Sequence, residues 1–245
     1  IENTHLDNNK KSIPKASLWE RFNDYGIALL RQGALSQAED AFFEVEELGR
    51  PEGPINLVRV YLEEGRVTYD APNALKRASE MKSIRPLEWH MLWFNGLVNQ
   101  QNGQFEKAIA NFEQIISGGF AQAAGRKFSF NKDDKVHIAL GKALWDRAKQ
   151  ERGKSRIQKR DMLLNKAIQS FQRVLDQDPE NVSVHWNLSR IWLELNQDEK
   201  SKHHSVLHKK YKVDDNARDA AVAIARKKYP WANRSAEALK IYSLD

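Results

Sequence analysis

The chain has 245 residues, of which 41% are hydrophobic and 29% charged, with no cysteine, a formal net charge of +6 and a pI near 9.3. That length can bury a continuous core, and no uninterrupted apolar run approaches the ~20 residues that cross a bilayer as a helix. The absence of cysteine excludes disulfides, thiolate metal sites and a cysteine nucleophile, and is compatible with either redox compartment.

Residues 1–17 are polar, with Asn3, Asn8, Asn9, Lys10 and Lys11 and no periodicity, and read as a flexible lead-in. A chain that opens on Ile1 rather than Met reads as a processed product or an excised piece. From residue 18 onward, helical signals come in pairs. The first member carries a small residue in its middle, as in Tyr25-Gly26-Leu29, and the second repeats a small residue, an aromatic and an aliphatic, as in Ala38-Phe42-Val45. A mid-helix glycine costs roughly 1 kcal/mol against alanine, so a recurring one makes room for a neighbouring helix. Gly33 then sits where the first helix must turn into the second, a place that suits the left-handed backbone.

The second pair, over residues 55–85, reads Leu57-Val58-Tyr61, Gly65, and Ala74-Ala78-Met81 before Pro86, with a longer connector at 66–72. The third, over 87–117, reads Asn95-Gly96-Asn99, Gly103 and Ala108-Phe112-Ile115. It lacks a closing proline and is followed by an insertion at 118–134 that opens with Gly118-Gly119-Phe120. In the fourth pair Leu140-Gly141-Leu144 precedes a basic interruption at 149–160, where Lys149, Arg152, Lys154, Arg156 and Lys159 face the single acid Glu151. That run reads as a solvated tip or as a contact for an anion or acidic partner. Ala167, Ile168, Phe171, Val174 and Leu175 then form one apolar stripe at helical spacing, and Pro179 ends it. The fifth pair, over 182–211, is degraded to Leu188-Ser189-Trp192 and Ser201-Ser205-His208. Residues 214–245 hold two further helical stretches split by Pro230, which read as capping helices over the last apolar face.

A small residue, an aromatic four later, an aliphatic three after that and a proline five beyond resemble the second half of a tetratricopeptide repeat, whose period is about 34 residues. The chain is similar to that family over residues 18–213, in about five helical pairs. The resemblance implies an all-α fold, a right-handed α-α superhelix with a C-terminal helical cap. Gly96 and Gly141 stand 45 residues apart, so about eleven have been added between the third and fourth pairs.

The family lines a concave ligand groove with first-helix residues three before, one after and four after the small residue. Those offsets fall on Asn23, Ile27 and Leu30, then Ile55, Arg59 and Leu62, then Trp93, Leu97 and Gln100. The last two pairs give Ile138, Lys142 and Trp145, then Trp186, Arg190 and Leu193. The resemblance thus assigns partner contact to Arg59, Trp93, Leu97, Lys142, Trp145, Trp186 and Arg190, an aromatic and basic set suited to a protein or peptide with an acidic or C-terminal group. Of the positions with which chaperone-tail-binding members hold a terminal carboxylate, only Asn56 matches, so that specificity is not expected. The run from Tyr211 to Asp219 and the ending after Ala236 also resemble repeat domains that accompany multihaem c-type cytochrome modules of exported bacterial proteins. This second resemblance implies a periplasmic setting and association with a cytochrome c module. No haem-attachment motif occurs in the chain itself.

Catalytic signatures are missing: there is no phosphate-binding glycine loop, no Gly-x-Ser-x-Gly and no His-Glu-x-x-His. His204 and His208 are one helical turn apart and could share a metal, but no carboxylate stands beside them, and the reading assigns no catalytic residue, metal or cofactor. Positive charge is spread along the chain rather than gathered in one motif, which argues against nucleic acid as the partner. Two function classes remain: a non-enzymatic scaffold that binds a partner segment in its groove, and a haem-free docking domain of a larger redox protein.

Overall fold

The computed structural model describes residues 17–82, 84–125, 128–212, 223–225 and 227–229. The expected lead-in before Ser17, and the expected capping helices of 214–245 apart from those two short pieces, lie outside the described residues. Within them the chain is helical without β-strand, and its helices stack in chain order as hairpins of a right-handed α-α superhelix. The hairpins are α1 (Leu18–Arg31) with α2 (Leu35–Glu47), α3 (Glu52–Glu63) with α4 (Asp70–Glu80), and α5 (Glu88–Gln101) with α6 (Phe105–Ser117). After the short α7 (Ala121–Gly125) come α8 (Asp134–Gln150) with α9 (Ile157–Leu175) and α10 (Val182–Glu194) with α11 (Asp198–Tyr211).

Each glycine-bearing hairpin is keyed by one glycine and one phenylalanine. A Cβ at Gly26 would lie 2.6 Å from the Phe42 ring, and one at Gly141 would lie 2.7 Å from Phe171; Gly96 meets Phe112 in the same way. All three rings are completely buried. Helix propensity is thereby given up at the glycine, about 1 kcal/mol, and the burial of a whole aromatic side chain, about 1.5–3 kcal/mol, more than offsets it. The second hairpin inverts the sizes, with Val58 in the glycine position and Ala78 in the phenylalanine position, both fully buried.

The turns between paired helices follow the same period. Gly33, Gly65 and Gly103 have φ of 74°, 73° and 71°, the left-handed region where a Cβ is penalised. At the corresponding place after Ser189 stands Asn196, whose φ is 57°; asparagine tolerates that conformation better than other side chains. In the fourth hairpin the corresponding residue is Ala148, and there α8 simply runs on to Gln150.

The irregular stretches are narrower than the sequence suggests. Helix α4 starts at Asp70, inside the expected 66–72 connector, and ends at Glu80, so Met81 is an extended cap rather than part of the apolar stripe. Between α8 and α9 only residues 151–156 are non-α, because α9 begins at Ile157. That connector closes on Glu151, whose side chain is 3% exposed and is held by Arg147 at 2.7 Å, Lys159 at 2.8 Å and Arg156 at 3.2 Å. The Lys159 hydrogen bond, with Arg147 adding, pulls the Glu151 carboxyl down to about 2. Most of the basic run is thus spent inward, since Lys149 pairs with Asp146 at 2.9 Å as well. Among the described residues Arg152 and Lys154 remain without an ion pair.

On the outer layer, Arg66 ties the first two hairpins together by reaching Glu39 of α2 at 2.9 Å, Asp70 of α4 at 2.8 Å and Glu64 at 3.0 Å. Arg77 forms a second, two-pronged bond to Glu46 at 2.6 and 3.0 Å. Burial, with Glu39 beside it, pushes the Tyr61 hydroxyl up to about 12, so it stays protonated under the Arg66 guanidinium that stacks on its ring at 4.3 Å.

Candidate partner-binding groove

The first helices of three hairpins supply one concave surface. Asn23 of α1, Ile55, Asn56, Arg59 and Leu62 of α3, and Trp89, Trp93, Phe94 and Leu97 of α5 line a groove of about 470 Å3, together with Glu52, Glu63 and His90. Its wall on the α5 side is aromatic, and Trp93 is steadied from behind by Phe112, with ring centroids 5.7 Å apart. Its α1–α3 side is polar: Asn56 Nδ2 donates to Asn23 Oδ1 at 2.7 Å, and Arg59 Nη1 donates to Asn56 Oδ1 at 3.2 Å. These bonds fix the orientation of the Asn56 amide and leave the other Arg59 N–H groups and the Asn23 Nδ2 as donors toward the groove.

Burial, then the neighbouring Arg31, pulls the Arg59 pKa down from its ordinary value while Glu63 pushes it up; a guanidinium stays charged throughout. Burial lowers the His90 pKa too, which favours the neutral imidazole in this groove. The local field is therefore mixed: one guanidinium without an ion pair among the described residues, with Glu63 near it and Glu52 already paired to Arg50 at 3.1 Å.

Of the residues expected to contact a partner, Arg59, Trp93 and Leu97 meet in this groove, with Asn23, Ile55 and Leu62 beside them. Lys142, Trp145, Trp186 and Arg190 do not line it. Trp145 donates its Nε1–H to Glu194 of α10 at 2.9 Å and carries the Lys149 ammonium over its ring at 4.0 Å. Trp186, 44% exposed, packs against His208 and lies under the Arg190 guanidinium at 4.4 Å. Lys142 is exposed, Ile27 and Leu30 pack on the core of the first two hairpins, and Gln100 donates to Asp146 of α8 at 3.2 Å.

Trp89, Glu52 and Glu63 lay outside the sequence expectation. Trp89 is one helical turn before Trp93 and Glu63 one turn after Arg59, so extending the inner stripe by a turn at each end recovers both. On α10, Asn187 stands two residues before Ser189, as Asn56 stands two before Val58, and its buried Nδ2 has no partner among the described residues.

Among the described residues the histidines do not gather with other donors into a metal position. His185 Nε2 faces the Pro179 carbonyl at 2.9 Å and must donate to it, so its Nδ1 accepts from His204 Nδ1, also at 2.9 Å. His208 Nδ1 is turned instead to the Val182 carbonyl at 3.0 Å. These bonds, with Ser201 Oγ to the Ser189 carbonyl at 2.8 Å, fasten α11 to α10.

No family model matches the chain, and no curated protein matches it. Solved structures do. MamA from Desulfovibrio magneticus RS-1, residues 41 to the end, superposes with a TM-score of 0.54 at 18% identity, over 79% of this chain and 94% of that one. The fold is that of a tetratricopeptide-like helical repeat. MamA AMB-1 gives a TM-score of 0.52 at 18% identity, covering 79% of this chain and 98% of that one. A further MamA crystal structure gives 0.53 at 13% identity, over 79% and 91%. At these identities the likeness is one of fold, and the cytochrome-linked, periplasmic reading keeps only its sequence resemblance.

Proposed function

We propose that this protein is a non-catalytic scaffold that holds an extended segment of a partner protein in the groove across α1, α3 and α5. The observation that supports this most is the pairing of two walls: the Trp89, Trp93 and Phe94 rings on one side, and the Asn23–Asn56–Arg59 ladder with unused N–H donors on the other. Aromatic anchors take apolar side chains of the segment, and amide and guanidinium donors meet its carbonyls, which is how an extended chain is gripped without reading many side chains. Arg59 is the position for one acidic group; Glu52 and Glu63 disfavour a strongly acidic segment.

Selection from a peptide-display library on the full chain, followed by affinity measurement of the selected peptide, tests this. Trp93→Ala is expected to weaken binding by about 30-fold or more, as for loss of one buried anchor. Arg59→Glu should also lower affinity, since it removes the donor that meets the segment's acidic group and sets an acid against it, whereas Trp145→Ala and Arg190→Glu should leave affinity near wild type. Affinity unaffected by Trp93→Ala and Arg59→Glu, in variants with wild-type helical content, would move the binding surface elsewhere.

A further inference from the structure

The insertion between the third and fourth hairpins, foreign to a plain helical-hairpin repeat, builds a second concavity on the far side of the groove wall. Ala123 of α7 and Phe128 and Phe130 after it close, with Trp89, Trp93 and Ile115, around a cavity of about 710 Å3. Phe130 is the fixed part of this wall: it is buried, and its ring centroid lies 5.2 Å from Trp89, 5.0 Å from Phe128 and 5.5 Å from Phe120. Phe128 is 45% exposed and stands at the rim. A dry cavity of ~150 Å3 is enough for benzene, and small-molecule sites run to roughly 300–1,000 Å3 with mostly apolar, aromatic walls and few polar groups. By that measure the space suits a ring system larger than a single side chain.

Two polar residues belong to the lining, Asp133 and Lys135. Asp133 is committed to the fold, since its Oδ1 accepts from Val136 N at 3.0 Å and caps α8. Lys135, in the first turn of α8, is exposed and has no ion pair among the described residues. Asp133 keeps its negative charge while it caps α8, so the two charges of the lining balance in sum, and what Lys135 adds is an unpaired ammonium with N–H donors to spare beside the aromatic wall.

We propose that this cavity is a binding site for a small planar aromatic acid, its fused rings against Trp89, Trp93 and Phe130 and its carboxylate toward the Lys135 ammonium. The assignment is independent of the groove reading, although Trp89 and Trp93 line both spaces. Rings of this kind gain from offset or edge contacts with the aromatic wall, and the acid gains a charge-assisted bond at an exposed rim.

Calorimetric titration of the full chain with 2-naphthoate, and with the neutral 2-naphthalenemethanol, provides the test. Saturable one-to-one binding is expected for naphthoate. Phe128→Ala should weaken both ligands by about tenfold, a single partly exposed ring being lost from the wall. Lys135→Ala should weaken naphthoate several-fold and leave the alcohol unchanged, and Arg59→Ala in the groove should leave both unchanged. Phe128 and Lys135 are exposed enough that both variants should keep the wild-type helical signal. Absence of saturable naphthoate binding, equal affinities in wild type, Phe128→Ala and Lys135→Ala, or a comparable loss in Arg59→Ala would each overturn the proposal.

Discussion

Replacing Phe171 by alanine empties the space that Gly141 keeps open for it. The ring is fully buried, so the loss of transferred area and the cavity left behind should together cost about 3–5 kcal/mol. Gly141→Val alone should also destabilise, because its Cβ would sit 2.7 Å from Phe171 Cζ with two further ring atoms within 3.0 Å. Overpacking of this kind costs about 1–3 kcal/mol, partly offset by replacing a mid-helix glycine. Combined, the two changes recreate the valine–alanine arrangement that the second hairpin uses at Val58 and Ala78. The valine then fills part of the cavity and meets no ring, so the double variant should be more stable than the sum of the single effects by about 2 kcal/mol, within the range of coupled neighbours. Urea unfolding followed by far-UV circular dichroism on all four proteins measures it. Effects that add within about 0.5 kcal/mol would refute the idea that glycine and phenylalanine are one interlocking feature.

Other consequences concern the turns and the titrating groups. Gly103→Ala, at φ of 71°, should cost about 1 kcal/mol in the same unfolding assay, because the added Cβ strains a left-handed turn even though open space surrounds it. The folded Glu151 carboxyl lies at about 2, against an ordinary 4.5, so its contribution to stability is complete above about pH 4.5 and is lost as pH falls toward 2. Glu151→Gln should flatten that part of the stability profile measured by urea midpoints. Burial, then His185 and His203, holds the His204 imidazole at about 4, below the ordinary 6.5. The fold therefore favours neutral His204, and that stability is present above pH 6.5 and lost as pH falls from 6.5 toward 4. An NMR titration should find the His204 transition near 4, and His185→Ala should move it upward.

The repeat register was open to reading from residue types because two of its constraints are steric and leave little choice. Gly26, Gly96 and Gly141 must be small where a phenylalanine crosses, and Gly33, Gly65 and Gly103 must have positive φ. Asn196 escaped because asparagine can take the same backbone conformation without advertising it. Half of the groove was legible, since Arg59, Trp93 and Leu97 follow directly from helical offsets. Lys142, Trp145, Trp186 and Arg190 share the offsets, yet two of them face partners that no offset specifies, Glu194 on Trp145 and His208 on Trp186. The run of cations at 149–160 looked free because linear order hides that a single buried carboxylate, Glu151, gathers Arg147, Arg156 and Lys159. What Phe128 and Phe130 do could not be read from a repeat pattern, because they lie in the segment added to it.

Site-specific photo-crosslinking measures directly whether a partner segment lies along the inner faces of α1, α3 and α5. A benzophenone amino acid is placed either at Leu97, inside the groove, or at Lys76, an exposed residue of the outer helix α4. A peptide selected on the full chain should crosslink from position 97, excess unlabelled peptide should suppress the product, and position 76 should yield none. Crosslinking from 76 but not from 97 would contradict that placement.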